Sequence, residues 1–283
     1  MANRGDPMTI FNGTMARGAA GESEMTTDAT VNYVPVEQAR TMPGLRVAFT
    51  RGVPGAWSVA IKAIFDIKGI DYIAVPQEPG QENEPLRAWT GQTSAPVLMY
   101  HDDKPRIGWA EKLVLAEQLQ PEPRLLPADQ DERIAVMGFC HEICGEDGLG
   151  WNARLMLLSG ERGPRDQDDG NSLMRKKYVS PVTNDYARKR VLAILDSMVR
   201  RLEAQAARGQ PYFFGDRLTA ADIYWPSFSN LFAPMSADLC TMPDYFRGIG
   251  PLLEIYLEQP VPRILLDHRD YIVRTYFRTP IAL

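Results

Sequence analysis

Thr93-Ser94-Ala95-Pro96-Val97-Leu98-Met99-Tyr100 is the stretch of this sequence that decides the fold. Pro96 has no amide hydrogen to donate, so a proline directly before an apolar run belongs at the start of a strand or at a bend. Only about 5 to 6% of X-Pro bonds are cis, so Pro96 taken alone is a trans strand-start proline. A cis Ala95-Pro96 bond is the alternative, and it would turn the backbone groups of Ala95 outward.

The residues after this stretch predict a polar turn at 101–105, a short second strand and a helix over 107–119. Three apolar side chains share one face of that helix: Trp109, Leu113 and Ala116. Glu111 and Lys112 fall in its first turn, where an acid suits the helix dipole and a lysine is unfavourable unless an anion or acid lies nearby. Lysine is rarely buried without a partner, so Lys112 is first interpreted as a solvated surface amine.

This order of elements resembles the thioredoxin-like domain of the glutathione transferase superfamily, whose members carry a cis-proline step, an acidic hairpin turn and a Glu-Ser pair opening the next helix. Ala95-Pro96 matches the first, Asp102-Asp103 the second and Glu111-Lys112 the third, with Lys in place of Ser. The resemblance implies that Ala95, beside Pro96, pairs with the cysteinyl backbone of glutathione. It also implies that Glu111 holds the γ-glutamyl amino group, and Lys112 is a charge-assisted donor to the γ-glutamyl carboxylate.

Length and composition indicate two ordinary domains, because 283 residues of which 45% are hydrophobic can form two cores. A formal charge of -5 gives no electrostatic footprint for nucleic acid. No apolar run approaches the roughly 18 residues that cross a bilayer, and the first residues lack a signal-peptide core. We therefore expect a cytoplasmic protein that binds neither nucleic acid nor membrane.

The three cysteines predict reduced thiols, since Cys140, Cys144 and Cys240 are odd in number and contain no Cys-x-x-Cys pair. Cys140, His141 and Cys144 are three possible zinc ligands, but no fourth ligand is near in sequence. Packing is the favoured interpretation of this group, and no metal is expected.

The predicted organisation is a flexible extension at 1–43, a thioredoxin-like α/β domain at 44–120 and an all-α domain with a carboxyl-terminal extension at 130–283. Alternating and helical apolar periods predict a strand at 45–50, a helix at 56–68 and a strand at 71–75. A long polar connection without its own helix follows. The Pro-rich passage at 120–129 separates the domains, and the resemblance covers about residues 45–255.

Two features of the second half are predicted to be structural. A long helix over 187–206 carries a core stripe. Thr219 and Asp222 form a capping box, in which each side chain bonds the other's backbone amide at a helix start. By the resemblance, Trp151 and Arg154 line the substrate pocket, although packing of Trp151 and solvation of Arg154 are the simpler interpretations.

The group that would activate a thiol is not evident in the sequence. In many of the families that this chain resembles, a Tyr, Ser or Cys near the first helix stabilises the thiolate. The position at which the Ser and Cys classes carry that residue is Gly55 here. The order of preference for the catalytic residue is Ser58, Thr50 and then Arg51, and the helix amino terminus adds backbone amides.

The leading hypothesis is a glutathione transferase-like enzyme that conjugates the glutathione thiol, as co-substrate, to a small hydrophobic electrophile. Two alternatives stay open: a non-catalytic protein of the same fold that binds glutathione or a partner, and a glutathione-dependent lyase or isomerase. The resemblance also implies a homodimer.

Overall fold

The computed structural model describes residues 31–159, 177–178 and 180–282. The amino-terminal half contains, in chain order, α1 (Val36–Ala39), β1 (Leu45–Thr50), α2 (Ala56–Lys68), β2 (Ile73–Gln77), α3 (Glu84–Thr90), β3 (Val97–Tyr100) and α4 (Trp109–Leu119). The second half contains α5 (Gln130–Cys144), α6 (Leu149–Ser159), α7 (Asn184–Ala206), α8 (Ala220–Ser229), α9 (Asp244–Arg247), α10 (Ile249–Leu257) and α11 (Arg263–Tyr276). The predicted fold class, a thioredoxin-like α/β domain followed by an all-α domain, is confirmed by this order of elements.

The sheet has three strands in the order β2-β1-β3. β1 is the central strand: Val47 pairs in parallel with Ala74 of β2 and antiparallel with Leu98 of β3. The predicted second strand of the hairpin is reduced to a single bridge between Leu98 and Arg106. Because β1 is flanked on both sides, its carboxyl end, where Thr50 lies, is held at a fixed point beside the start of α2.

Helix α2 has the bounds that its apolar spacing predicts. It ends at Gly69, which takes a left-handed conformation with φ of 65° and is the residue type that adopts it without a Cβ clash. The buried face of α2 includes Ile61, Ile64 and Phe65. This packing fixes the direction in which the amino terminus of α2 points.

The connection after β2 was predicted to lack a helix, which is wrong: it contains α3. Pro85 lies in the first turn of α3, where a proline costs no helical hydrogen bond. Leu86, next to it, is buried in a small cluster against the sheet. Burial of one leucine through tertiary packing therefore outweighs the turn-like composition of the segment.

Of the predicted extension at 1–43, residues 1–30 lie outside the described residues. The remainder contacts the sheet: Tyr33 forms a parallel bridge with Ala74, and the Val34 amide donates to the Ala74 carbonyl at 2.8 Å. Val36 and Ala39 are buried beside them. Residues 31–39 thus cover the β2 edge, while the predicted domain boundaries stay predictions.

A buried ion pair joins the end of α2 to the interdomain passage. Lys68 Nζ lies 2.7 Å from Glu117 Oε1 and also donates to the carbonyls of Gln120 and Pro123 at 2.7 and 2.8 Å. The Leu125 amide donates to the same Glu117 oxygen at 3.1 Å. This network fixes the passage between the domains to both α2 and α4.

The predicted capping box is present at the start of α8, and the helix is buried along its whole length. The Thr219 amide donates to Asp222 Oδ2 at 2.9 Å. The other carboxylate oxygen, Oδ1, lies 3.0 Å from Nε2 of the buried His268 on α11. Trp225 Nε1 donates to the Leu265 carbonyl at 2.8 Å. Helix α11, whose role the sequence leaves open, is therefore packed against the core helix of the second domain.

Candidate functional site

The bend at residues 94–96 leads into β3 and contains a cis Ala95-Pro96 bond, as the resemblance to glutathione transferases implies. Pro96 is buried, whereas Ala95 remains partly exposed. Among the described residues, no backbone hydrogen bond uses the amide or the carbonyl of Ala95. Among the described residues the bend therefore leaves one backbone donor and one backbone acceptor unpaired, as an unpaired strand edge does.

Lys112 lies behind this bend and is 3% exposed, so its interpretation as a solvated surface amine was wrong. Its Nζ donates to the carbonyls of Pro96 and Ile107, each at 2.6 Å. Burial away from water disfavours the ammonium form and lowers the pKa of Lys112 from 10.5 to about 8. The amine thus ties the start of α4 to the Ala95-Pro96 bend.

Glu111 caps its own helix from within the first turn of α4. Its Oε1 accepts from the Gly108 amide at 2.6 Å and from the amide of Ile107. Within the part of the chain that the structure describes, Oε2 forms no hydrogen bond, and the residue is partly exposed. One carboxylate oxygen is therefore held in place while the other is free to accept a donor.

Two hydroxyls meet at the carboxyl end of β1 and the amino terminus of α2. Ser58 Oγ accepts from the Thr50 amide at 3.1 Å and lies 3.3 Å from Thr50 Oγ1. Ser58 is only 4% exposed, whereas Thr50 is partly exposed. Thr50 is therefore the more exposed residue of the pair.

Gly55 stands at the position where the families that use a catalytic Ser or Cys carry that side chain. A Cβ atom placed on Gly55 would lie 2.9 Å from Thr50 Oγ1 and 3.1 Å from Thr50 Cβ. The side chain of Thr50 thus occupies the space that a side chain at position 55 would enter. A hydroxyl reaches this point from the strand instead of from the helix.

Arg51 follows Thr50 but is directed to a different partner. Its guanidinium forms an ion pair with Glu78, in which Nε donates to Oε2 at 3.3 Å. The Arg51 side chain is half exposed. Its charge is therefore compensated by Glu78 at the surface.

Arg154 on α6 lies among three aromatic rings, which we call the aromatic cage: Trp57, Trp151 and Tyr178. The guanidinium carbon is 4.8 Å from the Trp57 centroid, 4.6 Å from the Trp151 centroid and 3.9 Å from the Tyr178 centroid. Burial lowers the pKa of Arg154 below its usual value. The solvated interpretation of Arg154 was therefore wrong, and Trp151 packs against a cation.

The aromatic cage lies close to both the bend and the helix start. Trp57 immediately precedes Ser58, and its Nε1 donates to the Cys144 carbonyl at 2.8 Å. Tyr178 Oη lies 3.4 Å from Ser94 Oγ, next to Ala95. Lys177 Nζ donates to Thr93 Oγ1 at 2.7 Å. Tyr178 and Trp57 were not predicted as site residues, because no local sequence signal indicates contacts made 84 and 87 residues away.

The cysteines offer no ionised nucleophile. Cys140, Cys144 and Cys240 are buried free thiols, and burial raises the pKa of Cys140 and Cys144 well above the usual value. His141 is exposed, with its ring tilted against Trp109. Across residues 31–159, 177–178 and 180–282, no group of three or more His, Cys, Asp or Glu residues is placed to hold a metal ion.

No helix within the described ranges combines the length and the apolar character needed to cross a membrane. No curated protein matches the chain. A model of the glutathione S-transferase C-terminal domain matches residues 185–225, which include most of α7 and the start of α8.

Solved structures of glutathione transferases are similar to this chain in fold. The enzyme from Methylobacillus flagellatus, with glutathione bound, has a TM-score of 0.59 and 17% identity, and the match covers 84% of this chain and 100% of that one. The enzyme from Methylobacterium radiotolerans, in complex with glutathione sulfonate, has a TM-score of 0.54 and 16% identity, with 84% and 94% coverage. A family member from Pseudomonas fluorescens with two glutathione molecules bound has a TM-score of 0.54 and 14% identity, with 87% and 95% coverage.

These likenesses extend over both halves of the chain, and the family-model match lies in the helical half. The expected resemblance is thereby confirmed: the chain has the two-domain fold of the glutathione transferase superfamily.

Proposed function

We propose that the protein is a glutathione-dependent transferase that joins the glutathione sulfur to a small electrophile held between the two domains. The free backbone donor and acceptor of Ala95 are the observation that carries this proposal. An extended peptide binds such an edge by main-chain hydrogen bonds. The cysteinyl unit of glutathione is a peptide of that kind.

Glu111 is proposed to hold the γ-glutamyl end. Its Oε2 is free among the described residues, while Oε1 is fixed by the backbone of α4. A carboxylate held in this way accepts a charge-assisted hydrogen bond from an ammonium group at little cost in side-chain entropy. The proposed contact of Lys112 with the γ-glutamyl carboxylate has weaker support, because two carbonyls already accept from its buried amine.

Thr50 is proposed as the hydrogen-bond donor to the glutathione thiolate. Ser58 Oγ accepts from the Thr50 amide, so its own hydroxyl hydrogen is free to point at Thr50 Oγ1, which is 3.3 Å away. The Thr50 hydrogen would then face the partly exposed side. Ser58, ranked first from the sequence, acts in this scheme by orienting Thr50, and Arg51 acts only at longer range. The amino terminus of α2 adds a favourable dipole.

In the reaction the thiol proton leaves to solvent, the sulfur forms a bond to the electrophilic carbon, and a leaving group or a neighbouring atom takes the displaced electron pair. Thr50 stabilises the anion before attack, and the aromatic cage excludes water from one side. The chain's own contribution is positioning and electrostatic stabilisation.

Calorimetric titration with glutathione, followed by a panel of aryl halides, enones and epoxides, tests the proposal. We expect glutathione to bind and at least one electrophile to be conjugated. Absence of glutathione binding would overturn the proposal, and oxidised glutathione serves as the comparison for binding of the reduced thiol.

A non-catalytic binder of glutathione is the second candidate, because Gly55 lacks the side chain on which related families depend. Binding without turnover of any electrophile would favour it. A lyase or isomerase would instead be recognised by turnover without net consumption of glutathione. The cytoplasmic location and the homodimer are likewise proposals, to be checked by fractionation and by light scattering.

A further inference from the structure

Within the part of the chain that the structure describes, Arg154 forms no ion pair with a carboxylate. Tyr178 is the only ionisable side chain of the described residues that affects the pKa of Arg154, and within these residues the buried Nε has no hydrogen-bond partner. A buried guanidinium normally bonds a carboxylate or carbonyl, since an unsatisfied one carries a large desolvation cost. The rings of the aromatic cage offset part of that cost by cation–π contact. The Nε donor is left without a partner among the described residues.

The position of this unpaired charge is set by both domains. Trp57 belongs to the first turn of α2, beside Ser58, and Trp151 belongs to α6 of the helical domain. Tyr178 lies against Ser94, at the bend that is proposed to bind glutathione. Arg154 therefore contacts one ring from the start of α2 and one ring that touches the bend proposed to bind glutathione.

From this arrangement we infer that the electrophile carries a carboxylate, which Arg154 binds through its nitrogen edge while the aromatic cage flanks the apolar part of the molecule. This inference rests on the proposed function and narrows its substrate class to small acidic electrophiles with a flat or apolar body. A guanidinium presents paired N–H donors at the spacing of carboxylate oxygens. An acid bound there neutralises a charge that no carboxylate of the described residues pairs with.

Two aryl chlorides that differ only by a carboxylate test the inference: 2-chloro-1,3-dinitrobenzene and 4-chloro-3,5-dinitrobenzoate. In each, sulfur forms a bond to the ring carbon, chloride leaves with the C–Cl electron pair, and the thiol proton passes to solvent. We expect Arg154→Met to lower kcat/KM for the benzoate by about 10- to 100-fold, with a much smaller change for the neutral compound. Arg154→Lys keeps the charge without the planar edge, so it should retain part of the preference.

Arg201→Met is the matched control, because Arg201 also lies over an aromatic ring, that of Phe214 at 4.2 Å. It is exposed on α7, so its loss should leave both substrates unaffected. Equal losses for the neutral and acidic compounds in Arg154→Met would overturn the inference, because Arg154 would then act on the sulfur or on the fold. No loss for either would also overturn it.

Binding without turnover separates this inference from the proposed function. Trp57 and Trp151 report directly on the cage, so quenching of tryptophan fluorescence by 4-nitrobenzoate and by nitrobenzene measures binding in the absence of glutathione. We expect the apparent Kd for 4-nitrobenzoate to rise about 10-fold or more in Arg154→Met, while that for nitrobenzene is unchanged. If neither aryl chloride reacts but this difference appears, the transferase proposal fails and the carboxylate site stands. If nitrobenzene and 4-nitrobenzoate bind alike to both proteins, the carboxylate site is overturned.

Discussion

The buried amine of Lys112 donates to the carbonyl of Pro96 at 2.6 Å, across the gap between α4 and the cis-proline bend. A second bond to the Ile107 carbonyl is equally short. Lys112 therefore holds the two parts of the proposed glutathione site, the Ala95 backbone and the Glu111 carboxylate, at a fixed separation. An interior lysine in this role is a positioning residue.

The pH dependence of stability tests the environment of Lys112. Its pKa falls from 10.5 to about 8 on folding, so between these values the unfolded chain binds more protons and the free energy of unfolding rises with pH. The rise contributed by this group is ~3.5 kcal/mol, from about 2.5 pKa units at about 1.4 kcal/mol each. The unfolding free energy of the wild type minus that of Lys112→Met should therefore become more positive from about pH 7 to about pH 10.

Urea unfolding of both proteins at several pH values measures that difference. The tyrosines that titrate in the same range are common to both proteins, so their contributions cancel. A difference that does not change with pH would mean that the pKa of the amine is not lowered by burial.

Thr50→Val removes the proposed donor to the thiolate and keeps the size of the side chain. A hydrogen bond to a charged group is worth about 1.5–3 kcal/mol, so kcat/KM should fall about 10- to 100-fold. The pH of half-maximal activity should rise by about 1–2 units, because the bound thiol is harder to ionise. Thr50→Ser is the control and should keep most of the activity. An unchanged pH profile in Thr50→Val would rule out this role.

Glu111→Gln separates the two functions of the carboxylate. Glutamine also serves in a capping box, so the bonds to the backbone of α4 are retained while the negative charge is lost. We expect the Kd for glutathione to rise about 10-fold by calorimetry. Glutathione lacking its α-amino group should bind equally to both proteins. The exposed Glu84→Gln is the matched control, and an equal loss there would contradict a specific contact.

His268→Ala tests whether α11 supports the core of the second domain. The His268 ring is buried, contacts Asp222 and lies 4.4 Å from the Phe213 ring. Loss of the hydrogen bond and of the buried ring should lower the free energy of unfolding by about 2–4 kcal/mol. Arg274→Ala, on the same helix, removes only a surface ion pair and should cost about 0–1 kcal/mol. Similar effects of both substitutions in urea unfolding would contradict the packing role of α11.

Local patterns in the sequence were sufficient for the elements whose contacts are close along the chain. The bounds of β1 and α2 follow from alternation, helical spacing and the terminating Gly69. The capping box of Thr219 and Asp222 follows from a spacing of three residues. The hydrogen bonds of α2 and of the capping box lie within one or two helical turns, and the alternation of β1 reports which side chains are buried, so the order of residue types predicts these features.

The site depended on contacts that no local pattern encodes. Lys112 is buried because two carbonyls, one of them 16 residues away, accept from its amine. Thr50 fills the space beside Gly55 because β1 ends there, and Arg154 is enclosed by rings from both domains. The sequence by itself determined the elements with a strong short-range period or cap, such as β1, α2 and the start of α8, but not α3, which depends on tertiary burial of Leu86. Only the tertiary structure decided which polar groups are paired and which charge is left without a partner, because burial and pairing depend on segments that meet only after the chain has folded.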